Sequence, residues 1–183
     1  TVIHRIHLEE GEMEYDATGE VPGTVLNQFS MDEYMGYFRI VTTISGTKHN
    51  VYILDENLDI AGRLEDFAPL WEQFHSARFM GNRCYLVTFR QTDPLFVVDL
   101  SDPYLPEVLG ELEITGYSDY LHSYDENHVI GIGKEAVEAE EEGFAWYQGL
   151  KISLFDVSDV SNPVEIGTVS YTHLRAHETG RNL

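Results

Sequence analysis

Cysteine, positive charge and long apolar runs are all scarce in this chain. Its 183 residues hold one cysteine, Cys84, so an internal disulfide is excluded, and the absence of any Cys-x-x-Cys pair removes the usual zinc and dithiol motifs. Cys84 sits inside the apolar run RCYLVTF, where a small buried hydrophobe is expected rather than a nucleophile. Lys and Arg number 11 against 32 Asp and Glu, a formal net charge of −21. Such a surface repels phosphate backbones and anionic lipid, which argues against nucleic acid and against polybasic membrane binding. It suits a basic partner or a divalent cation. No apolar run approaches the roughly 18 residues of a membrane span, and no signal-peptide pattern is present. G-x-S-x-G, a phosphate-cradling glycine loop and H-E-x-x-H are all missing.

What the chain does have is one sentence written three times. Residues 51–64 read VYILDENLDIAGRL, residues 95–112 LFVVDLSDPYLPEVLGEL and residues 152–169 ISLFDVSDVSNPVEIGTV. Each copy is an apolar run ending in an aspartate (Asp55, Asp99, Asp156), a polar turn, and a glycine (Gly62, Gly110, Gly167) in a second apolar run. An aromatic precedes each copy, Tyr34, Phe79 and Tyr124, spaced by 45 residues both times. A self-similar unit of about 40–50 residues made of short strands is the signature of a β-propeller blade.

The expected fold is therefore all-β, a partial β-propeller of about three four-stranded antiparallel blades plus part of a fourth, truncated at both ends. Residues 1–23 read as outer strands of a preceding blade. Blade one covers 24–69 with strands VLNQFSM, YFRIVTTI, NVYILD and IAGRLED. Blade two covers 70–117 with SARFM, RCYLVTF, LFVVDL and EVLGELEI. Blade three covers 118–169 with DYLHSY, HVIGIG, LKISLFDV and VEIGTVS. All are rich in Val, Ile, Leu, Tyr and Phe, as strands are. In the turns, Asp and Asn bond their own backbone and Pro presets φ.

Two segments break the period. Residues 134–149, KEAVEAEEEGFAWYQG, lengthen blade three; five glutamates followed by three aromatics predict a protruding acidic loop with one helical turn. Residues 170–183, SYTHLRAHETGRNL, match no blade and resemble translated sequencing-adapter read-through, so they are expected not to pack as a native element. His173 and His177 stand at i, i+4, but no glutamate follows His173 to complete a zinc motif.

The stretches GEVPGTVLNQFSMDEYMGYFRIVTT, NVYILDENLDIAGRLED, RFMGNRCYLVTFRQTDPLFVVDLSDP and ISLFDVSDVSNP resemble the secreted β-propeller domain family of archaea and bacteria, whose function is unknown. The last two are also similar to the LVIVP-type repeats of extracytoplasmic propellers. The resemblance covers about four-fifths of the chain. It implies an extracytoplasmic, secreted or cell-surface location and supplies no catalytic residues.

Propeller chemistry belongs on the innermost strands, which line the channel, or on the loops at its rim. The channel-lining candidates are Asn27, Gln28, His75, Arg78 and His122, beside Ser30, Ser76 and Ser123. The loop candidates for partner binding are Glu138, Glu141, Phe144, Trp146 and Tyr147, which combine steering charge with apolar area. Asp55, Asp99 and Asp156 invite an acid–base or calcium reading, but a catalytic group is needed once, and a residue recurring at the same strand end is a turn-former. The expectation is a non-enzymatic scaffold for a protein, peptide or glycan, with no cofactor predicted and a divalent cation as the open alternative. The alternative is a propeller hydrolase or lyase with a metal in the central channel.

Overall fold

The computed structural model describes residues 1–69, 72–89, 93–114, 116–138 and 145–171, with the backbone alone at 93, 136–138 and 145–148. The described residues are all-β apart from one 3₁₀ turn, Gln28–Ser30. A two-stranded sheet comes first, β1 (Val2–Glu9) and β2 (Glu12–Glu20). Blade one follows as β3 (Met31–Tyr34), β4 (Tyr37–Ile44), β5 (Lys48–Leu54) and β6 (Ile60–Leu64). Blade two is β7 (Gln73–Met80), β8 (Arg83–Phe89), β9 (Asp93–Asp99) and β10 (Glu107–Ile114). Blade three is β11 (Tyr117–Asp125), β12 (His128–Glu138), β13 (Ala145–Asp156) and β14 (Val164–Tyr171). In all three blades the strands lie in chain order and pair antiparallel with their neighbours. The sheets do not close a ring among the described residues, as expected for part of a propeller.

Successive sheets stack face to face, and their cores lie between them. Val21 and partly buried Ile3 and Ala17 pack on Ile40, Tyr52, Leu54 and Leu58 of blade one. Val41, Val51 and Ile53 on the other face of blade one meet Cys84, Leu86, Phe96 and Val98 of blade two. Tyr85, Val87, Leu95 and Val97, on blade two's far face, meet Leu121, Val129, Phe155 and Val157 of blade three. The alternation of Cys84/Leu86 with Tyr85/Val87 shows why the middle strands read as unbroken apolar runs. A strand buried on both faces has no polar side. Cys84 is a free, fully buried thiol, and burial pushes its ionisation far up, so it acts as the small core hydrophobe expected.

The turns carry the repeated aspartates. Asp55 accepts from the Asn57 and Asp59 N–H groups (2.8 and 3.1 Å), Asp99 from the Ser101 N–H and hydroxyl (both 2.9 Å), and Asp156 from the Ser158 N–H (2.9 Å). These are the local side-chain-to-backbone bonds that make Asp a turn residue.

Three details differ from the sequence expectation. Val25–Ser30 do not form the first strand of blade one; β3 starts at Met31, and the chain before it closes in the 3₁₀ turn. Residues 134–138 and 145–149, expected in a loop with a helical turn, are strand, paired from Glu135↔Gly149 to Glu138↔Ala145. Beyond the Lys134↔Leu150 pair, where β11 and β14 also end, β12 and β13 continue as a two-stranded arm that pairs with no other strand among the described residues. Residues 139–144, including Glu141 and Phe144, lie outside the described residues. Ser170 and Tyr171, placed with the foreign tail by composition, continue β14 opposite Lys151 and Leu150.

Candidate functional site on the inner strands

The first strands of blades two and three approach one another, with the turn before β3 beside them. β7 packs against β11, and the 3₁₀ turn packs against β7. This makes β3, β7 and β11 the inner wall and β6, β10 and β14 the outer rim.

One half of the wall is built by two bulges. In β7 the pairing with β8 skips between Phe74 and Ser76, leaving His75 as the extra residue. In β11 the pairing with β12 skips between Ser118 and Tyr120, leaving Asp119 as the extra residue. A bulge re-aims one side chain without shifting the rest of the strand. Here two matched bulges in adjacent blades bring the His75 Nδ1 to 3.3 Å from the Asp119 carboxylate. The imidazole also packs against Tyr117 in a tilted contact (centroids 4.3 Å) and meets the edge of Phe89 (5.8 Å). Its Nε2 is buried without a hydrogen-bond partner among the described residues. Beneath the pair, the Ser76 hydroxyl donates to the Ser118 carbonyl (2.6 Å) and fastens blade two to blade three.

The other half is aromatic and cationic. The Asn27 side chain accepts from the Phe29 N–H (2.9 Å) and caps the 3₁₀ turn. This turn presents Phe29, whose ring lies 5.6 Å from the Arg78 guanidinium and 5.3 Å from the Tyr120 ring in an edge contact. Tyr120 in turn reaches His122, its hydroxyl 3.2 Å from the imidazole Nδ1. Thus the chain before β3 contributes Phe29, the inner strand of blade two Arg78, and that of blade three Tyr120 and His122 to the same cluster.

Of the channel-lining candidates, His75 and Arg78 stand on β7 and His122 on β11. Asn27 and exposed Gln28 do not: they belong to the turn, and Asn27 spends its amide oxygen holding it. Glu138, Trp146 and Tyr147 are on the paired backbone of the arm. Phe29 and Tyr120 were missed because an aromatic in an apolar segment reads as core. Bulges leave no mark in a sequence, so the meeting of His75 with Asp119 had no signal to find. Among the described residues no group of three or more His, Cys, Asp or Glu side chains is placed to hold a metal ion.

Blade one is fastened to blade two by a cation. Buried Arg39 forms an ion pair with Asp32, donates to the Gly81 carbonyl across the interface (2.6 Å), and lies over the rings of Tyr34 and Phe79 (4.8 and 5.1 Å). At the opposite end of the blades, His49 is fully buried with its ring nitrogens 2.9 Å from the Glu72 carbonyl oxygen and 3.1 Å from the Thr43 hydroxyl. Burial pushes its pKa down, with the Glu72 carbonyl opposing.

Comparison with known proteins agrees with this geometry. The chain is 44% identical over 165 residues to an uncharacterized protein of Archaeoglobus fulgidus, covering 89% of this chain, and 44% identical over 172 residues to an uncharacterized protein of Methanocaldococcus jannaschii, covering 91%. It spans about a quarter of the length of each of these relatives. A family model described as a beta propeller domain matches residues 1–179. Three up-and-down blades stacked about inner strands, and a family match running from the first residue nearly to the last, lead to one conclusion: the chain belongs to the beta propeller domain family.

Proposed function

We propose that this chain is part of an extracytoplasmic, non-enzymatic propeller scaffold that binds a peptide, protein or glycan on its inner wall. The observation that carries this reading is the convergence of Phe29, Arg78, Tyr120 and His122. Aromatic faces beside a guanidinium and a hydroxyl give apolar area and directional hydrogen bonds together, the mixture that recognises sugars and peptide side chains. The family resemblance supports the extracytoplasmic location. The β12–β13 arm is the second contact region in this reading, because insertions on a regular repeat concentrate where partners bind.

The test is a screen of the purified chain on glycan and peptide arrays, repeated with Arg78→Ala and Tyr120→Ala. The reading expects a bound class whose signal falls by about tenfold with either substitution and is unchanged by Glu111→Ala on the outer strand. Binding that survives both substitutions contradicts it.

The His75–Asp119 pair favours a second reading, a propeller hydrolase or lyase. A histidine oriented by a carboxylate is a general-base arrangement. Turnover of a bound glycan or peptide that is lost in His75→Ala would replace the scaffold reading with this one.

A further inference from the structure

Arg78 stands apart from the other described arginines. Arg5 pairs with Asp16, Arg39 with Asp32 and Arg63 with Glu65, and Arg83 donates to the Val157 carbonyl (3.3 Å). The Arg78 guanidinium has no hydrogen bond or ion pair among the described residues, in a chain with 32 Asp and Glu. What it meets is the Phe29 ring at 5.6 Å. A guanidinium carries five N–H donors in a planar fork that matches a carboxylate. Asp119, next to Tyr120 on the facing strand, does not serve it: this is the bulge residue, and its carboxylate is engaged by His75.

The groups beside this fork are rings. Phe29 and Tyr120 meet with their planes at 71°, and Tyr120 lies near-parallel to His122, at 30° with centroids 6.2 Å apart. Phe29, Arg78 and Tyr120 are half-buried and His122 is exposed, so a ligand can reach all four.

We infer that Arg78 is an anion-binding centre of the inner wall and that its ligand is a glycan carrying a uronic acid, with the carboxylate on the guanidinium and the sugar beside Phe29 and Tyr120. This rests on the scaffold reading above and names its ligand class. Two observations select that class. Strands β7 and β11 each lie at the edge of their sheet, but each is bulged, at His75 and Asp119. A bulge breaks the even row of N–H and C=O groups that an extended peptide pairs with, so recognition falls to side chains. The formal net charge of −21 repels a polyanion at long range. A carboxylate isolated among neutral sugars carries little of that repulsion and keeps the whole short-range bond to the guanidinium.

The experiment titrates the 183-residue chain with short oligosaccharides in which one glucuronate, galacturonate, mannuronate or iduronate is flanked by neutral sugars. The same compounds are titrated after reduction of the carboxylate to the alcohol. At least one uronate is expected to bind about tenfold or more tightly than its reduced counterpart. Arg78→Gln should abolish that difference, leave the affinity for the reduced compound unchanged and keep the parental urea midpoint. Arg78→Lys, which retains the charge without the planar fork, should restore only part of the difference. Equal affinity for both members of every pair overturns the inference. If that shared binding is lost in Tyr120→Ala, the scaffold reading still stands; if it survives both Tyr120→Ala and Arg78→Gln, the scaffold reading falls with it. A preference for the carboxylate that persists in Arg78→Gln places the anion elsewhere and also overturns the inference. So does a wall that binds none of the sugars, whether it binds nothing or binds a peptide with a free C-terminal carboxylate and not its amidated form, which identifies a peptide terminus. If Arg78→Gln does not unfold cooperatively, the unaltered chain decides: the Arg78 Nε–H resonance should shift on adding the uronate and not on adding the reduced sugar, and equal shifts overturn the inference.

Discussion

Arg39 and His49 show how much polar chemistry a propeller can bury between blades. Arg39 is held by an ion pair, a carbonyl and two rings, so truncation leaves Asp32 and the Gly81 carbonyl without their partner. Arg39→Ala is expected to cost about 2 kcal/mol in urea unfolding, the low end for a broken buried pair because Asp32 is a third exposed. His49 has its pKa lowered by burial. A histidine whose folded pKa is depressed contributes its full stability above the unfolded value of about 6.5, and loses it as pH falls from there toward the folded pKa. The urea midpoint should therefore drop as pH falls below about 6.5, and drop less in His49→Gln; equal pH dependence of the two proteins contradicts the assignment. The exposed turn aspartates act lower. Asp156 and Asp159 are held below the usual carboxylate range by the Ser158 and Ser161 hydroxyls and N–H groups, and Asp125 by the Asn127 N–H and the His128 ring. Their contribution is present above about pH 4 and lost as pH falls through the folded values. The role of the repeated aspartates was legible because it needs only near neighbours. That of Arg39 and His49 was not: Arg39 sits in a run that otherwise reads as core, His49 lies in the polar stretch before the next apolar run, and both meet backbone carbonyls of blade two.

At the scale of the element, strand positions were largely legible and their irregularities were not. The apolar runs of β4, β5, β8 and β9 agree with the structure to within two or three residues, because burial on two faces leaves an unambiguous run of strand-forming residues. The segment before β3 misled because Val25, Leu26 and Phe29 are apolar, yet Asn27 caps a turn there. The 134–149 insertion misled in the opposite way. Its glutamates suit a helix, but residues 134–138 and 145–149 continue the strand pairing of β12 with β13, and extending an existing ladder avoids the cost of starting a helix. The arm pairs with itself beyond Lys134↔Leu150. Replacing residues 136–147 by a short glycine-containing turn should therefore leave the unfolding free energy within about 0.5 kcal/mol of the parent. A larger loss places the arm in the blade's core rather than outside it. If the arm is a recognition element, the same deletion weakens the array signal without moving the urea midpoint.

For the whole molecule, the repeat in the sequence contained the fold. Three copies of one strand pattern defined three blades, whereas the place of Gly62 and Gly110 against the next blade's turn was not read from the sequence. What the repeat could not contain is where blades differ from one another, and the His75–Asp119 pair and the Phe29–Arg78–Tyr120 cluster arise from such differences. The stacking order is the claim on which the inner wall and the cores between blades depend, since both are placed by which blade follows which. Urea unfolding of Gly62→Val, Gly110→Val and Gly167→Val tests it most directly. The first two place a side chain onto a backbone carbonyl of the next blade, at 2.1 and 2.4 Å from the new Cβ, and should each lower the stability of the 183-residue chain by about 2 kcal/mol or more. Gly167→Val should leave it within about 0.5 kcal/mol. Comparable losses at all three positions, or none at Gly62 and Gly110, would contradict the face-to-face order of blades.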